Sequence, residues 1–264
     1  LQALTATQIA GLTSQQVYDL NTTVISTLST KQIAAIEATD LAVIGVEIFA
    51  GFNSAQVRAL NTSQISGLTT NQLAGLNSSW VSSLSTTQLR SLEATKLNVL
   101  DAVSLAAISD AQIVGLTTVQ IAGLSNSTIE SLNTVAVAAL RTTQIAAITT
   151  AQAIALVDAT LTALTSSQIG ALTTSAVAIL KYDSLAALLT GQVQALTTAQ
   201  IVGLTTQQVS ELTTKALTAL TTKQIVALET RDIAALSYES LNALKTEQLQ
   251  ALSSSQIAGL SSQQ

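Results

Sequence analysis

The chain has 264 residues, of which 48% are hydrophobic, 9% charged and 2% aromatic, and it contains no Cys, Met, His or Pro. Without Cys or His there is no disulfide, thiolate metal site or imidazole-based catalysis. The formal net charge of −5, carried by scattered single charges, gives no basic patch for nucleic acid or for an anionic membrane surface.

From Leu4 onward a large apolar residue returns at every eighth position, without insertion or deletion, as far as Leu260. If that column is called a, its 33 members are 28 Leu, four Ile (Ile36, Ile44, Ile108, Ile148) and Phe52. Position f, five places on, is Ile, Val, Leu or Phe in 31 of 32 octads, with Ala153 the exception. No charge enters either column, so a and f are the expected core. Position b is Ser, Thr, Asn or Asp in 24 of 33 octads, e is Gln in 19 of 33, and h is mostly Gly, Ala or Ser.

An octad does not fit a regular element. In one continuous helix each leucine would land about 80° round from the last and the apolar residues would circle the surface. In one strand a and f would point to opposite faces. The chain therefore turns inside each octad.

The first octads, from Leu4 and Leu12, already show how. Thr5 with Gln8 and Thr13 with Gln16 have the S/T-x-x-Q spacing of a capping box. With b as N-cap, a and f occupy N′ and N4, the hydrophobic-staple positions. The spacing predicts a short helix from c to h in every octad. Such a helix is too short to stand alone in water, so many must stack. Small residues at h let the next helix pass closely. Positions c, d and g are expected to face solvent or touch neighbours loosely.

Further along the chain, "LNTTVIST" (20–27) is the first octad to lose Gln at e. Next, "IEATDLAV" (36–43) carries Glu37 and Asp40, expected on a solvated face. The most apolar run, 41–52, is short and contains Glu47, so no membrane-spanning helix is expected. "LNSSWVSS" (76–83) places Trp80 at e, where local packing is expected over a lateral contact. The octad from Leu116, "LTTVQIAG", shows the consensus: Thr117 and Gln120 form the capping box, Leu116 and Ile121 the staple. Asn21, Asn61, Asn77 and Asn126 stand in N-x-[ST] triplets, which read as chance matches, with Asn at b an N-cap. "LKYDSLAA" (180–187) and "LSYESLNA" (236–243) share Tyr182 and Tyr238 at one phase. Glu229, Arg231 and Asp232 read as a second solvated cluster.

Deviations from the consensus recur every seven octads: 20, 76 and 132 begin one such series, and 44, 100, 156 and 212 another. Duplication of a seven-octad unit accounts for this. A superhelix with three and a half octads per turn accounts for it as well.

The consensus resembles the octad-repeat tracts of very large bacterial surface or secreted proteins of adhesin type. The resemblance covers essentially the whole chain and implies an extracellular structural segment that extends or assembles; it carries over no catalytic residue.

The sequence thus predicts an all-α solenoid of very short helices, one per octad, with a β-solenoid as the alternative. Residues 1–264 form one continuous array, with seven-octad units near 12–67, 68–123, 124–179, 180–235 and the partial 236–264. The chain opens and closes within the pattern, so it reads as a segment of something longer or a processed product. Catalytic, cofactor-binding and metal-ligating residues are expected to be none: carboxylates such as Asp19, Glu47, Asp110 and Glu130 stand singly, and no phosphate loop or calcium-binding loop occurs. The expected function is structural, a filament unit or a stalk or spacer of a bacterial cell surface, self-associating end to end without nucleic acid or membrane insertion. The alternative is an extracellular adhesion module whose lateral surface binds a protein or glycan.

Overall fold

The computed structural model describes residues 1–264 and contains 32 helices of four to six residues and no strand. The helical reading holds and the β-solenoid does not. Each helix starts at position c, as with Thr118–Gly123. The chain forms two compact units, Leu1–Leu140 and Arg141–Gln264.

The local geometry follows from the octad. Leu116 ends one helix with φ −63° and ψ 147°. Thr117 begins the next with φ −79° and ψ 159°. These two extended residues turn the chain between helices. The N–H of Leu116 donates to the carbonyl of Ile113 (3.1 Å), and that of Ile121 to the carbonyl of Thr117 (3.0 Å). The Thr117 hydroxyl accepts from the N–H of Gln120 (3.1 Å), and Gln120 Oε1 accepts from the N–H of Thr117 (2.8 Å). Both halves of the capping box are therefore made. Asn21, Asn61 and Asn77 are N-caps. Asn126, by contrast, is the first residue of a helix capped by Ser125.

Columns a and f form the core. Val57, Ile65, Leu68, Leu73, Leu89, Ile121 and Ile201 are fully buried, and Ala153, the one small residue in column f, is buried too.

Within each unit the chain comes back over itself every three and a half octads. The offset is read from side-chain bonds such as Gln64 Nε2 to the Ile36 carbonyl (2.7 Å) and Gln200 Nε2 to the Leu172 carbonyl (2.7 Å). This is the superhelical spacing that the seven-octad recurrence suggested. Because the coils are half an octad out of step, the side chain at e reaches a of the coil before, as Gln64 reaches Ile36, and h packs on c. Only after two coils does a position lie over its own kind.

That stacking corrects one expectation. Position c is not loosely placed, because its side chain packs under the small residue at h in the next coil. Ser83 at h donates its hydroxyl to that of Ser54 at c (2.8 Å). Elsewhere h is glycine and the contact is tighter. A Cβ added to Gly115 would overlap Cγ2 of Thr86; at Gly203 it would overlap Cγ2 of Thr174, and at Gly259 that of Thr230. No residue has positive φ, so these glycines supply space for a neighbour and not an unusual backbone.

Candidate functional surface

The glutamines at e occupy the seam between coils. Their Oε1 closes the local capping box and their Nε2 reaches the coil before. Gln88 Nε2 donates to the carbonyls of Val57 (2.8 Å) and Leu60 (2.7 Å), and Gln224 Nε2 to those of Val193 (2.8 Å) and Leu196 (2.7 Å). Each acceptor pair is an f residue and the a residue that follows it. Both carbonyls lie at the end of a helix: that of the f residue also accepts from the N–H of the a residue after it (Leu60 to Val57, 3.2 Å), whereas that of the a residue accepts from no backbone N–H. One buried side chain therefore satisfies a helix start in its own coil and a helix end in the coil beneath.

From the octad alone, Gln at e is expected to serve only the cap. A signal for its second role was present: a capping box takes Glu as readily as Gln, yet no Glu occurs at e. A carboxylate can accept from the cap N–H but has no proton for the two carbonyls.

Where Gln is absent, other groups fill the same slot. Trp80 is buried there, its ring 6.3 Å from that of Phe49, which stacks on Phe52 at 5.1 Å. Phe49 and Phe52 are the residues whose carbonyls a glutamine would reach, and the buried Trp80 Nε1 has no hydrogen-bond partner. Packing inside unit Leu1–Leu140 thus explains Trp80. Ser104 Oγ donates to the Leu76 carbonyl (3.0 Å) in the coil before. Lys96 Nζ donates to the Ser66 carbonyl. At Thr128 the missing amide comes from the coil before: Asn98 Oδ1 accepts from the N–H of Ser125 (2.9 Å) and from Thr128 Oγ1 (2.9 Å), while its Nδ2 donates to the Gly123 carbonyl (3.0 Å).

Two of the acids read as solvated are in fact in this buried slot. Asp40 accepts from Ser14 Oγ (2.6 Å). Asp232, 0% exposed, accepts from Thr206 Oγ1 (2.8 Å) and from the N–H of Glu229 (3.3 Å). Their place at e, rather than their neighbours in sequence, decides their burial. Glu37 and Arg231 are exposed as expected, and Arg231 pairs with Glu229 at 2.6 Å. Asp101 is an N-cap whose carboxylate accepts from the N–H of Ser104 (2.7 Å). That bond, with help from the Ser104 hydroxyl, holds its pKa below the ordinary 3.8. Asp19 accepts from Gln15 Nε2 (3.0 Å), and Asp110 from the N–H of Ala111 (2.7 Å).

The outer surface is mostly Ser, Thr and Ala, with a few exposed apolar side chains. In unit Arg141–Gln264, Tyr182 and Tyr238 stand at the same octad position, c, two coils apart, so they face the same side. Tyr182 is 43% exposed and Tyr238 61%. Beside Tyr182 a shallow groove of about 150 Å³ is lined by Ile179, Lys181, Thr205 and Gln207. No helix is long and apolar enough to cross a membrane.

Three stretches, residues 33–78, 180–214 and 225–262, match the family model of the ALTTAQ repeat. Residues 195–200 spell that motif: a small h residue, the core leucine at a, the capping threonine at b, the packed threonine at c, a free d and the seam glutamine at e. The matched stretches support a repeat family. Among curated proteins none matches the chain.

Proposed function

We propose that this chain is a structural repeat protein of a bacterial cell surface, a stalk, spacer or filament unit that works through length rather than catalysis. One observation carries the reading: within each unit, coil after coil is fixed to the one before by the same pair of Gln-to-carbonyl bonds, always in the same direction. Such an array grows by adding coils without redesign, since each contact involves only nearest neighbours. The extracellular placement rests on the resemblance of the octads to those of adhesin-type surface proteins.

The bonding is also directional. Every coil offers amide donors to the coil before and carbonyls to the coil after. The same bonds that join coils within a chain would join two arrays head to tail, a heterologous contact that leads to open filaments. Negative-stain electron microscopy over a concentration series tests this: filaments that lengthen with concentration support it, and particles of fixed length exclude it.

The spacer role is tested by removing residues 68–123, which is two coils in phase. The maximum dimension from small-angle X-ray scattering should fall by roughly 16–20 Å, given about 8–10 Å between packed helices, while a cooperative melt is kept. An unchanged dimension would refute the spacer. A second reading, a lateral binding surface, is favoured by the alignment of Tyr182 with Tyr238 on one face.

A further inference from the structure

One place in the Arg141–Gln264 unit lacks, together, the core, cap and seam contacts that fix the other octads. Its core position f holds Ala153, on a helix of only four residues, Thr150–Ala153. The next helix, Asp158–Ala163, starts at Val157, whose side chain makes no cap bond. Thr160 at e returns no acceptor to that cap, and the N–H of Val157 turns back on the Ala155 carbonyl (3.0 Å). The seam above is incomplete as well. Gln192 of the coil after donates to the carbonyls of Leu161 (2.9 Å) and Leu164 (2.6 Å). Ser184, one octad earlier, gives its hydroxyl to Asp158 instead (2.6 Å), and no side chain of that coil donates to the carbonyl of Ala153 or Leu156. Two apolar side chains lie outside at the same place, Ile154 at 49% and Val157 at 46% exposure.

The stability of a stacked array is close to a sum of repeat and nearest-neighbour terms, so losses at one octad are felt there first. A small f residue gives up buried apolar contact. An uncapped start leaves helix N–H groups without an acceptor. A missing amide leaves the Leu156 carbonyl without a donor. The octad from Leu204 shows the contrast: Val209 fills f, Thr205 and Gln208 close the capping box, and Gln208 Nε2 donates to the carbonyls of Val177 (3.0 Å) and Leu180 (2.8 Å). Segments with few buried contacts and few fixed bonds open locally at low cost. We infer that residues 149–163 form a yield point, a segment that opens and recloses while the coils after it stay folded. In a stalk this is compliance: fifteen residues at about 3.3 Å each span roughly 50 Å when extended. That use rests on the spacer reading; the opening itself does not.

The test is native-state hydrogen exchange on the full chain, read by mass spectrometry. Peptides covering 149–163 are compared with peptides covering 197–211, each corrected for intrinsic exchange rates. The first set should exchange at least tenfold faster. Val157→Thr, an exposed and nearly isosteric change, supplies the missing cap hydroxyl. It should slow exchange at 149–163 severalfold and leave 197–211 as in the parent chain. Equal protection of the two segments overturns the yield point. So does a Val157→Thr variant in which exchange at 149–163 is unchanged, or in which both segments slow alike, because the array would then open only as a whole. Slow exchange at 149–163 with the expected response to the deletion of 68–123 would remove the yield point and leave the spacer. Fast exchange there with an unchanged scattering dimension after the deletion would keep the yield point and remove the spacer.

Discussion

Gln120 donates its side-chain amide to the carbonyl of Leu92 at 2.6 Å, although the two residues are 28 apart in sequence. The same nitrogen lies 3.2 Å from the Leu89 carbonyl, and the oxygen of the same amide accepts from Thr117. A single side chain thus ties the start of one helix to the end of another in the coil before.

This double duty separates two substitutions at one position. Gln120→Ala loses both roles and leaves the buried Leu92 carbonyl unserved, the Leu89 carbonyl keeping the N–H of Leu92, so a loss of about 1–3 kcal/mol is expected. Gln120→Glu keeps the cap acceptor but brings a carboxylate against two carbonyl oxygens. At neutral pH it should destabilise at least as much as Ala, measured by chemical denaturation. Stability equal to the parent for Glu would mean that the inter-coil bonds contribute nothing.

The core assignment is tested by a pair of charges. Ile121 is fully buried, and Val119, two places before it in the same helix, is 79% exposed. Ile121→Asp buries an unpaired charge and should unfold several neighbouring octads. Val119→Asp should shift the melting temperature little. Comparable losses for the two would contradict the columns on which the fold is built.

The contact between h and c can be read from a double-mutant cycle. Gly115→Ala places a methyl where Cγ2 of Thr86 already lies, and overpacking of this kind costs about 1–3 kcal/mol. Thr86→Ser removes that methyl and keeps the hydroxyl. In the Thr86→Ser background, Gly115→Ala should therefore recover most of the loss. Additive effects would show that the two residues do not touch.

Asp101 gives a prediction in pH. Its folded pKa lies below the ordinary 3.8, chiefly through the Ser104 N–H. A depressed carboxylate stabilises the fold fully above its unfolded pKa, and that stabilisation is lost as pH falls through the folded value. Asp101→Asn keeps a capping acceptor but does not titrate there. The stability difference between parent and variant should be flat above about pH 5 and should move against the parent only below pH 3.8. A difference that already changes between neutrality and about pH 5 would assign the effect to another group.

Everything that happens within one octad was legible in the sequence. Thr117, Gln120, Leu116 and Ile121 make a capping box and a staple because their partners are three to five positions away, and backbone sterics alone bring such groups together. The core columns were legible for the same reason, since burial forbids charge at a and f. The seven-octad recurrence even carried the superhelical spacing, because a half-integral number of octads per coil restores like over like only on the second turn. The tertiary structure decided what meets across the seam. Whether Asp232 is solvated or buried, whether Thr86 is free or packed under Gly115, and where the second half of each glutamine amide goes all depend on the coil three and a half octads away. That offset is set by how many octads close one turn, a sum of small rotations at the two extended residues between helices, and no single octad encodes it.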